Sequence, residues 1–233
     1  KFIRVKKKLI ALLKEQKQNI INQAVCKGIN PHVRMKDSGV EWLGEIPEHW
    51  EVRKLKYIAR IKNGKDYREV ESSTGYPVIG SGGQFAYASN YLYDGKSVLF
   101  GRKGTIDKPL YRDGKFWAVD TMFYTEIYDI VISKFFYYVA LTLPFDYYTT
   151  KTALPSITQK DLNNHSIVLP PKIEQQAIVD FIEKETSLID KTISKAEREI
   201  ELIQEYRTRL VSDVVTGKIY PQITQINADF DVG

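Results

Sequence analysis

The spacing of apolar residues divides the chain into a helix, a strand-rich region and a second, longer helix. Over residues 3–26, apolar positions recur every three or four residues, which is typical of an amphipathic helix. Gly28 and Pro31 follow and favour the end of that helix. The same spacing returns over residues 171–216, a segment that opens with the Pro170-Pro171 pair. Some 40 residues at about 1.5 Å each make a rod of roughly 60 Å, which needs a partner helix.

The apolar positions of the second helix predict a coiled-coil seam, by which we mean the stripe that a partner helix covers. The helix-pairing positions are Ile182, Ile189, Ile193, Ile200, Ile203, Leu210 and Val214. Residues 1–17 hold seven Lys or Arg, whereas residues 174–190 are acidic. We therefore expect the first helix to pack antiparallel on this acidic start. The stretch from about Ile200 to Val214 would then be free to pair with a second copy of the chain in a homodimer.

The region between the helices has a different character, with most of the glycines and prolines and many short β-rich runs. Strands are predicted over residues 76–79, 97–100, 116–119 and 122–125, and a helix over 134–143. We predict an α+β fold: one globular domain over residues 31–170 with a curved, mainly antiparallel sheet, flanked by long coiled-coil-forming helices. The flanking segments are a helix over 1–30, a long helix over 171–217 and a tail over 218–233.

The two helices also resemble each other. Lys8–Pro31 aligns without gaps on Arg198–Pro221, with a shared Gly-Lys pair in swapped order and a shared proline. Apolar positions alone could match by chance, but the shared Gly-Lys pair and proline favour a duplication. The spacing of the copies indicates a repeating unit of one globular domain and one helix.

Four segments, in this order along the chain, resemble one family, the specificity subunits of type I restriction–modification systems. Lys36–Trp50 resembles the opening of a target-recognition domain, and Leu99–Thr105 resembles its central Gly-Arg-x-Gly turn. Leu169–Gln176 resembles the junction of domain and helix, and Val215–Ile219 resembles the end of the conserved helix.

The resemblance implies a non-catalytic subunit that reads DNA. The usual member has two target-recognition domains, each of which reads one half of a split site. Two antiparallel helices set the gap between the half-sites and dock two methylation subunits, through which restriction subunits join. This chain has one domain and one and a half helices, so it resembles the C-terminal half of such a subunit, or a natural half-subunit. A methylation subunit is the alternative occupant of the free seam.

Composition adds little to this picture. The net charge of +5 and a pI of about 9.0 lean only weakly toward an acidic partner. A single cysteine, Cys26, excludes a disulfide framework. No apolar stretch reaches the roughly 18 residues of a membrane span, and the Lys-rich start lacks the features of a secretory leader. We therefore expect a cytoplasmic protein.

Motifs for catalysis are missing from the sequence. Pro170-Pro171 lacks the neighbouring amide or carboxylate that a base methyltransferase uses, and the three histidines lack zinc-ligand spacing. Gly95-Lys96-Ser97 resembles the end of a phosphate-binding loop, but a hairpin turn is the better interpretation because position 90 is Asn. We expect no cofactor and no metal.

The chemistry that the sequence does offer is that of DNA reading. Cations position a protein on phosphates, and polar side chains on loops read base edges. Arg102 is the strongest candidate, because its planar guanidinium binds guanine or phosphate and its glycine neighbours permit close approach. The predicted DNA-binding residues are Lys65, Tyr67, Arg68, Ser81, Gln84, Arg102, Lys103, Thr105, Lys108, Lys151 and Thr152.

Two other classes of function are weighed against this one. A stand-alone DNA-modifying enzyme would act on cognate DNA by itself when given cofactor. A coiled-coil scaffold whose middle domain binds protein would bind DNA with little salt dependence, whereas a reader that contacts phosphates loses affinity steeply with salt.

Overall fold

The computed structural model describes residues 2–145 and 155–217. Its two long helices lie at the ends of this sequence, and strands fill most of the middle. The helices are α1 (Phe2–Lys27), α2 (Ser133–Ala140), α3 (Gln159–Asn164) and α4 (Lys172–Val215), with short 3-10 helices at Leu55–Tyr57 and Arg68–Val70. The strands are β1 (Met35–Asp37), β2 (Glu45–Pro47), β3 (Glu51–Lys54), β4 (Ala59–Asn63), β5 (Glu71–Ser72), β6 (Tyr76–Gly80), β7 (Gly83–Ala88), β8 (Tyr93–Asp94), β9 (Ser97–Gly101), β10 (Leu110–Arg112), β11 (Lys115–Ala118), β12 (Met122–Ile127) and β13 (Ser166–Leu169).

The predicted helices and strands are confirmed, with ends that differ by up to three residues. Both long helices end at a glycine in the left-handed conformation, Gly28 with φ +78° and Gly217 with φ +70°. Glycine takes this conformation without steric cost, and it turns the chain out of the helix. The shared ending agrees with the duplication predicted from the repeat.

The chain forms two compact units. The globular unit is Lys17–Thr186, and the helical unit is the remainder of the described chain. The globular unit therefore contains the end of α1 and the start of α4 in addition to the strand-rich region.

Strand pairing in the globular unit is mainly antiparallel, as predicted, but it gives two main sheets rather than one. One sheet has the order β10-β9-β12-β4, and the other has the order β5-β7-β6-β11-β8. The pairing of β11 with β6 is parallel. Gly95-Lys96 joins β8 to β9, which lie in different sheets, so the predicted hairpin turn at this point is wrong. The chain crosses from one sheet to the other there.

The buried apolar residues form two cores, and the smaller one includes residues from both main sheets. The larger core buries Trp50, Phe135 and Phe136 together with apolar residues from the end of α1 and the start of α4. The smaller core contains Phe116 and Tyr124 from β11 and β12.

The helical unit corrects the expected pairing of charges. Lys6 binds Glu199 at 2.7 Å and Lys14 binds Glu197 at 3.1 Å, so these two lysines pair with carboxylates that follow the expected acidic residues 174–190. Attraction between opposite charges has little directional preference, so it did not specify which acidic segment is the partner.

The apolar seam of α4 is covered over only part of its length. Ile182, in the globular unit, is buried, as are Ile189, Ile193 and Ile200 in the helical unit. Ile200 was expected to be free, and that expectation is wrong. Ile203 is half-buried, while Leu210 and Val214 are 40% and 41% exposed. The uncovered part of the seam therefore begins after Ile200.

Candidate nucleic-acid interface

The turn at residues 101–105, here called the Arg102 turn, depends on its glycines. A Cβ atom on Gly101 would lie 2.0 Å from the Thr105 carbonyl oxygen, so only glycine fits there. Gly104 has a φ of +80°, a value that other residues rarely adopt. The chain can therefore reverse direction sharply at the end of β9.

Backbone hydrogen bonds fix the Arg102 turn from two sides. The Arg102 N–H donates to the Thr121 carbonyl at 2.8 Å, and the Gly104 N–H donates to the Pro155 carbonyl at 2.9 Å. The Arg102 carbonyl accepts from the Ile157 N–H at 3.2 Å. Since backbone atoms make these contacts, the side chains of Arg102 and Lys103 stay exposed.

A pocket of about 370 Å³ lies beside this turn. The Arg102 guanidinium lies over the Phe123 ring, 5.9 Å from its centre. The remaining lining residues are Asn63, Lys103, Ser156, Ile157, Thr158 and Gln159. The pocket thus combines two cations with amide and hydroxyl groups, which are the groups that bind phosphates and base edges.

A second turn, residues 118–122, connects the loops that carry the predicted DNA-binding residues. The Lys65 N–H donates to the Ala118 carbonyl at 2.9 Å, and the Val119 N–H donates to the Ile79 carbonyl at 3.1 Å. The Arg102 N–H donates to the Thr121 carbonyl of the same turn. This 118–122 turn therefore brings together three chain segments that are far apart in sequence.

Close backbone packing accompanies these contacts. A Cβ atom on Gly64 would lie 2.0 Å from the Val119 carbonyl oxygen, so Lys65 can approach the 118–122 turn only because glycine precedes it. The Trp117 indole N–H donates to the Lys65 carbonyl at 2.9 Å, which fixes the segment further. The Lys65 side chain remains exposed.

Arg68 differs from the other cations because a carboxylate neutralises it. Its guanidinium and its backbone N–H bind the Asp66 carboxylate, which lowers the pKa of Asp66 to about 2 and raises the pKa of Arg68. Among the described residues, Lys65, Arg102, Lys103 and Lys108 form no ion pair. Arg68 must therefore release Asp66 before it can bind a phosphate, whereas these four need not.

Four further predicted residues lie in the segments that follow β6 and β9, and Tyr67 lies beside Arg68 and is half-buried. Ser81 is half-buried in the turn between β6 and β7, and Gln84 is exposed on β7. Thr105 is half-buried and Lys108 exposed on the loop between β9 and β10. Lys151 and Thr152 lie outside the described residues.

Several residues of this surface were missed by sequence reasoning. Asp120 and Thr121 are exposed in the 118–122 turn, and Phe85 is exposed on β7. Asp120 and Thr121 carried only a turn signal. Strand alternation from an outward Gln84 would have placed Phe85 on the inward face.

Two of the four segments behind the family resemblance, Lys36–Trp50 and Leu169–Gln176, contact each other at the start of α4. The Trp50 indole N–H donates to one oxygen of Glu174 at 2.9 Å, and His49 Nε2 lies 2.6 Å from the other. The buried Gln175 amide donates to the carbonyls of Pro170 and Ile130. These motifs therefore join the strand-rich region to the helix.

Within residues 2–145 and 155–217, no helix is both long and apolar enough to cross a membrane. Over the same residues, no three His, Cys, Asp or Glu side chains are grouped as a metal site would require.

The sheets, the loop surface and the helix junction define a domain that belongs to a known family. Residues 47–202 match the family described as "Type I restriction modification DNA specificity domain". The match covers well over half of the chain, so the chain belongs to this family, and the predicted resemblance is confirmed.

Curated relatives agree with this assignment. The MjaVIII specificity subunit of a type I restriction enzyme from Methanocaldococcus jannaschii is 27% identical, over 91% of this chain and 55% of that protein. The EcoDI specificity subunit from Escherichia coli is 21% identical, over 76% of this chain and 40% of that protein. The chain spans about half the length of the curated relatives it matches.

Two crystal structures share the fold. The S subunit of a type I restriction–modification system from M. genitalium superposes with a TM-score of 0.62 at 14% identity, over 90% of this chain and 55% of that one. The HsdS subunit from Thermoanaerobacter tengcongensis gives a TM-score of 0.57 at 15% identity, over 93% of this chain and 54% of that one.

Proposed function

We propose that this chain recognises DNA sequence for a type I restriction–modification system and reads one half of a split site. The observation that carries the proposal is the Arg102 turn, where two exposed cations with no carboxylate partner among the described residues project from a turn fixed by its backbone. A rigid turn presents its cations without the entropy cost of ordering a loop. Membership of the DNA specificity family indicates that the ligand is DNA.

The chemistry comes from partner subunits in this proposal. The relatives are named as specificity subunits of restriction enzymes, and we assign the same role to this chain. Methylation subunits dock on this chain, and restriction subunits join the complex through them. The chain itself catalyses no reaction, and it works in the cytoplasm. Activity of the purified chain alone on DNA would contradict this assignment.

The test of the reading surface is the substitution Arg102→Ala. Methylome sequencing of cells that express the chain with its methylation partner first gives the modified site. Arg102→Ala should then abolish or relax modification at that site and leave the fold intact. Arg53, an exposed arginine that binds Glu51 at 2.7 Å, provides the control, and Arg53→Ala should leave modification unchanged.

Binding measurements on the assembled complex separate phosphate contacts from base contacts. If Arg102 contacts a phosphate, Arg102→Ala should weaken binding to all sequences and reduce the slope of log K against log salt by about one. If it contacts guanine, only the cognate site should lose affinity. Unchanged affinity, salt slope and modification would remove Arg102 from the reading surface. Binding that hardly depends on salt would instead favour a protein-binding scaffold.

A second proposal concerns the uncovered part of the α4 seam. Ile203 is half-buried, and Leu210 and Val214 are exposed, which suits pairing with the same residues of a second copy of the chain. A homodimer of this kind would carry two reading domains for a palindromic split site.

Light scattering on the full chain at micromolar concentration tests the dimer. The wild-type chain should be a dimer, and Leu210→Glu should make it monomeric. Leu188 is 71% exposed on the same helix but lies off the seam, so Leu188→Glu should leave the dimer intact. A strictly monomeric wild-type chain would refute the homodimer and leave the methylation subunit as the occupant of the seam.

A further inference from the structure

The strand β7 contains a β-bulge at Phe85. Val78 of β6 is paired with Ala86, but the next residue, Ile79, is paired with Gln84. Phe85 is therefore an extra residue that no β6 residue opposes. A bulge interrupts the alternation of side chains, so Gln84 and Phe85 are both exposed although they are consecutive. Bulges of this kind re-aim side chains beside functional sites.

The Phe85 ring is held in place although it is largely exposed. The ring of Tyr67 contacts it edge to face, with ring centres 5.3 Å apart. Gly80 lies on another side, where a Cβ atom would come within 3.2 Å of the ring. Even so, 57% of the Phe85 surface remains exposed. Phe85 is thus a fixed apolar surface that needs no rearrangement to bind.

The amide of Gln84 and the ring of Phe85 together match one kind of base pair. In the major groove, adenine presents the N7 acceptor and the N6 donor, and thymine presents its 5-methyl group. A glutamine amide can bond to both adenine groups, and a phenylalanine ring makes apolar contact with the methyl group. We propose that Gln84 and Phe85 read an A·T base pair in the major groove. This inference rests on the proposed function, since it names the base pair that the surface recognises.

The position of the bulge supports DNA as the partner. The Ile79 carbonyl, next to Gly80, accepts a hydrogen bond from the 118–122 turn, to which Lys65 and Arg102 are also bonded. The backbone that carries Gln84 and Phe85 is therefore bonded, through β6, to the same turn as the backbones of two cationic residues that form no ion pair within the described chain. Sequence-specific DNA binding needs cations that bind phosphates and, beside them, groups that contact base edges.

The experiment is a double-mutant cycle between protein and DNA, made on the complex of this chain with its methylation subunits. Duplexes of the mapped site carry deoxyuridine in place of each thymidine in turn, or 7-deazaadenine in place of each adenine. Fluorescence anisotropy gives Kd for the wild-type complex and for complexes with Phe85→Ala and Gln84→Ala. Tyr57→Ala is the control, because Tyr57 has a similar exposure of 55% but lies in the 3-10 helix before β4.

We expect one uridine substitution to weaken wild-type binding roughly fourfold, the effect of about one buried methyl group. Phe85→Ala should remove this penalty, and Tyr57→Ala should keep it. At the paired adenine, 7-deazaadenine should weaken binding roughly fivefold, and Gln84→Ala should remove that penalty. In a measurement that needs no variant, 5-iodouracil at the sensitive position should photocross-link to the wild-type peptide that contains Phe85.

Other outcomes would overturn the inference. Uridine penalties that Phe85→Ala leaves unchanged at every position, with cross-links only on other peptides, would show that Phe85 does not contact thymine. Loss of subunit assembly in Phe85→Ala would make the surface a protein interface. In both cases, wild-type binding to the mapped site would still support the proposed function. If the wild-type complex binds no DNA specifically, the proposed function itself fails.

Discussion

Replacing Gln175 by methionine tests whether the motif at the start of α4 is a structural junction. The Gln175 side chain is 1% exposed, and its amide makes three hydrogen bonds to the backbone. Its oxygen accepts from the Ile132 N–H at 2.7 Å, and its nitrogen donates to the carbonyls of Pro170 at 2.9 Å and Ile130 at 3.2 Å. Methionine has a similar length and helix propensity but makes none of these bonds.

The expected loss of stability follows from these three hydrogen bonds. A buried hydrogen bond contributes about 1 kcal/mol net, so Gln175→Met should lower the free energy of unfolding by about 3 kcal/mol. The neighbouring Gln176 is exposed and bonds only to Asp180 one turn further on, at 2.7 Å. Pairs of this kind contribute about 0.2–0.5 kcal/mol, so Gln176→Met should change stability by less than about 0.5 kcal/mol.

Urea unfolding followed by tryptophan fluorescence measures the difference between the two variants, because the buried Trp50 lies in the same unit. Hydrogen exchange gives a local reading, since the Ile132 amide loses its acceptor in Gln175→Met and should exchange faster. Equal stability of the two variants, or an unchanged exchange rate at Ile132, would refute the account of this junction.

Two further predictions concern the Arg102 turn and the response to acid. Gly101→Ala places a Cβ atom against the Thr105 carbonyl and should lower the free energy of unfolding by about 1–3 kcal/mol. Gly82 has open space around it, so Gly82→Ala should change that free energy by less than about 0.5 kcal/mol. Urea unfolding measures the stability of both variants. His165 is 2% exposed, and burial lowers its pKa from 6.5 to about 4. The folded protein favours the neutral form of His165. Its contribution to the free energy of unfolding, about 3 kcal/mol, is therefore fully present above pH 6.5 and is lost as the pH falls toward 4. His165→Phe keeps a ring to stack on Trp42 and should flatten this part of the stability–pH curve; an unchanged slope would contradict the assignment.

The sequence was sufficient for features that depend on neighbouring residues. Apolar spacing gave the long helices, and the glycines Gly28 and Gly217 marked their ends. Short β-rich runs between turn residues gave the strands, and the motif segments gave the family. Each of these depends on the conformational preferences of a few consecutive residues, which a sequence displays directly.

Tertiary structure alone decided which distant segments meet. Strand pairing divides the region into two main sheets, and the 118–122 turn joins segments whose residues the sequence indicated only as separate DNA-binding candidates. The bulge at Phe85 shows the reason most clearly: alternation predicts an inward ring, but the register of β6 against β7 turns it outward. Register, like the pairing of Lys6 with Glu199, is set by the packing of residues far apart in the chain, and local sequence does not encode it.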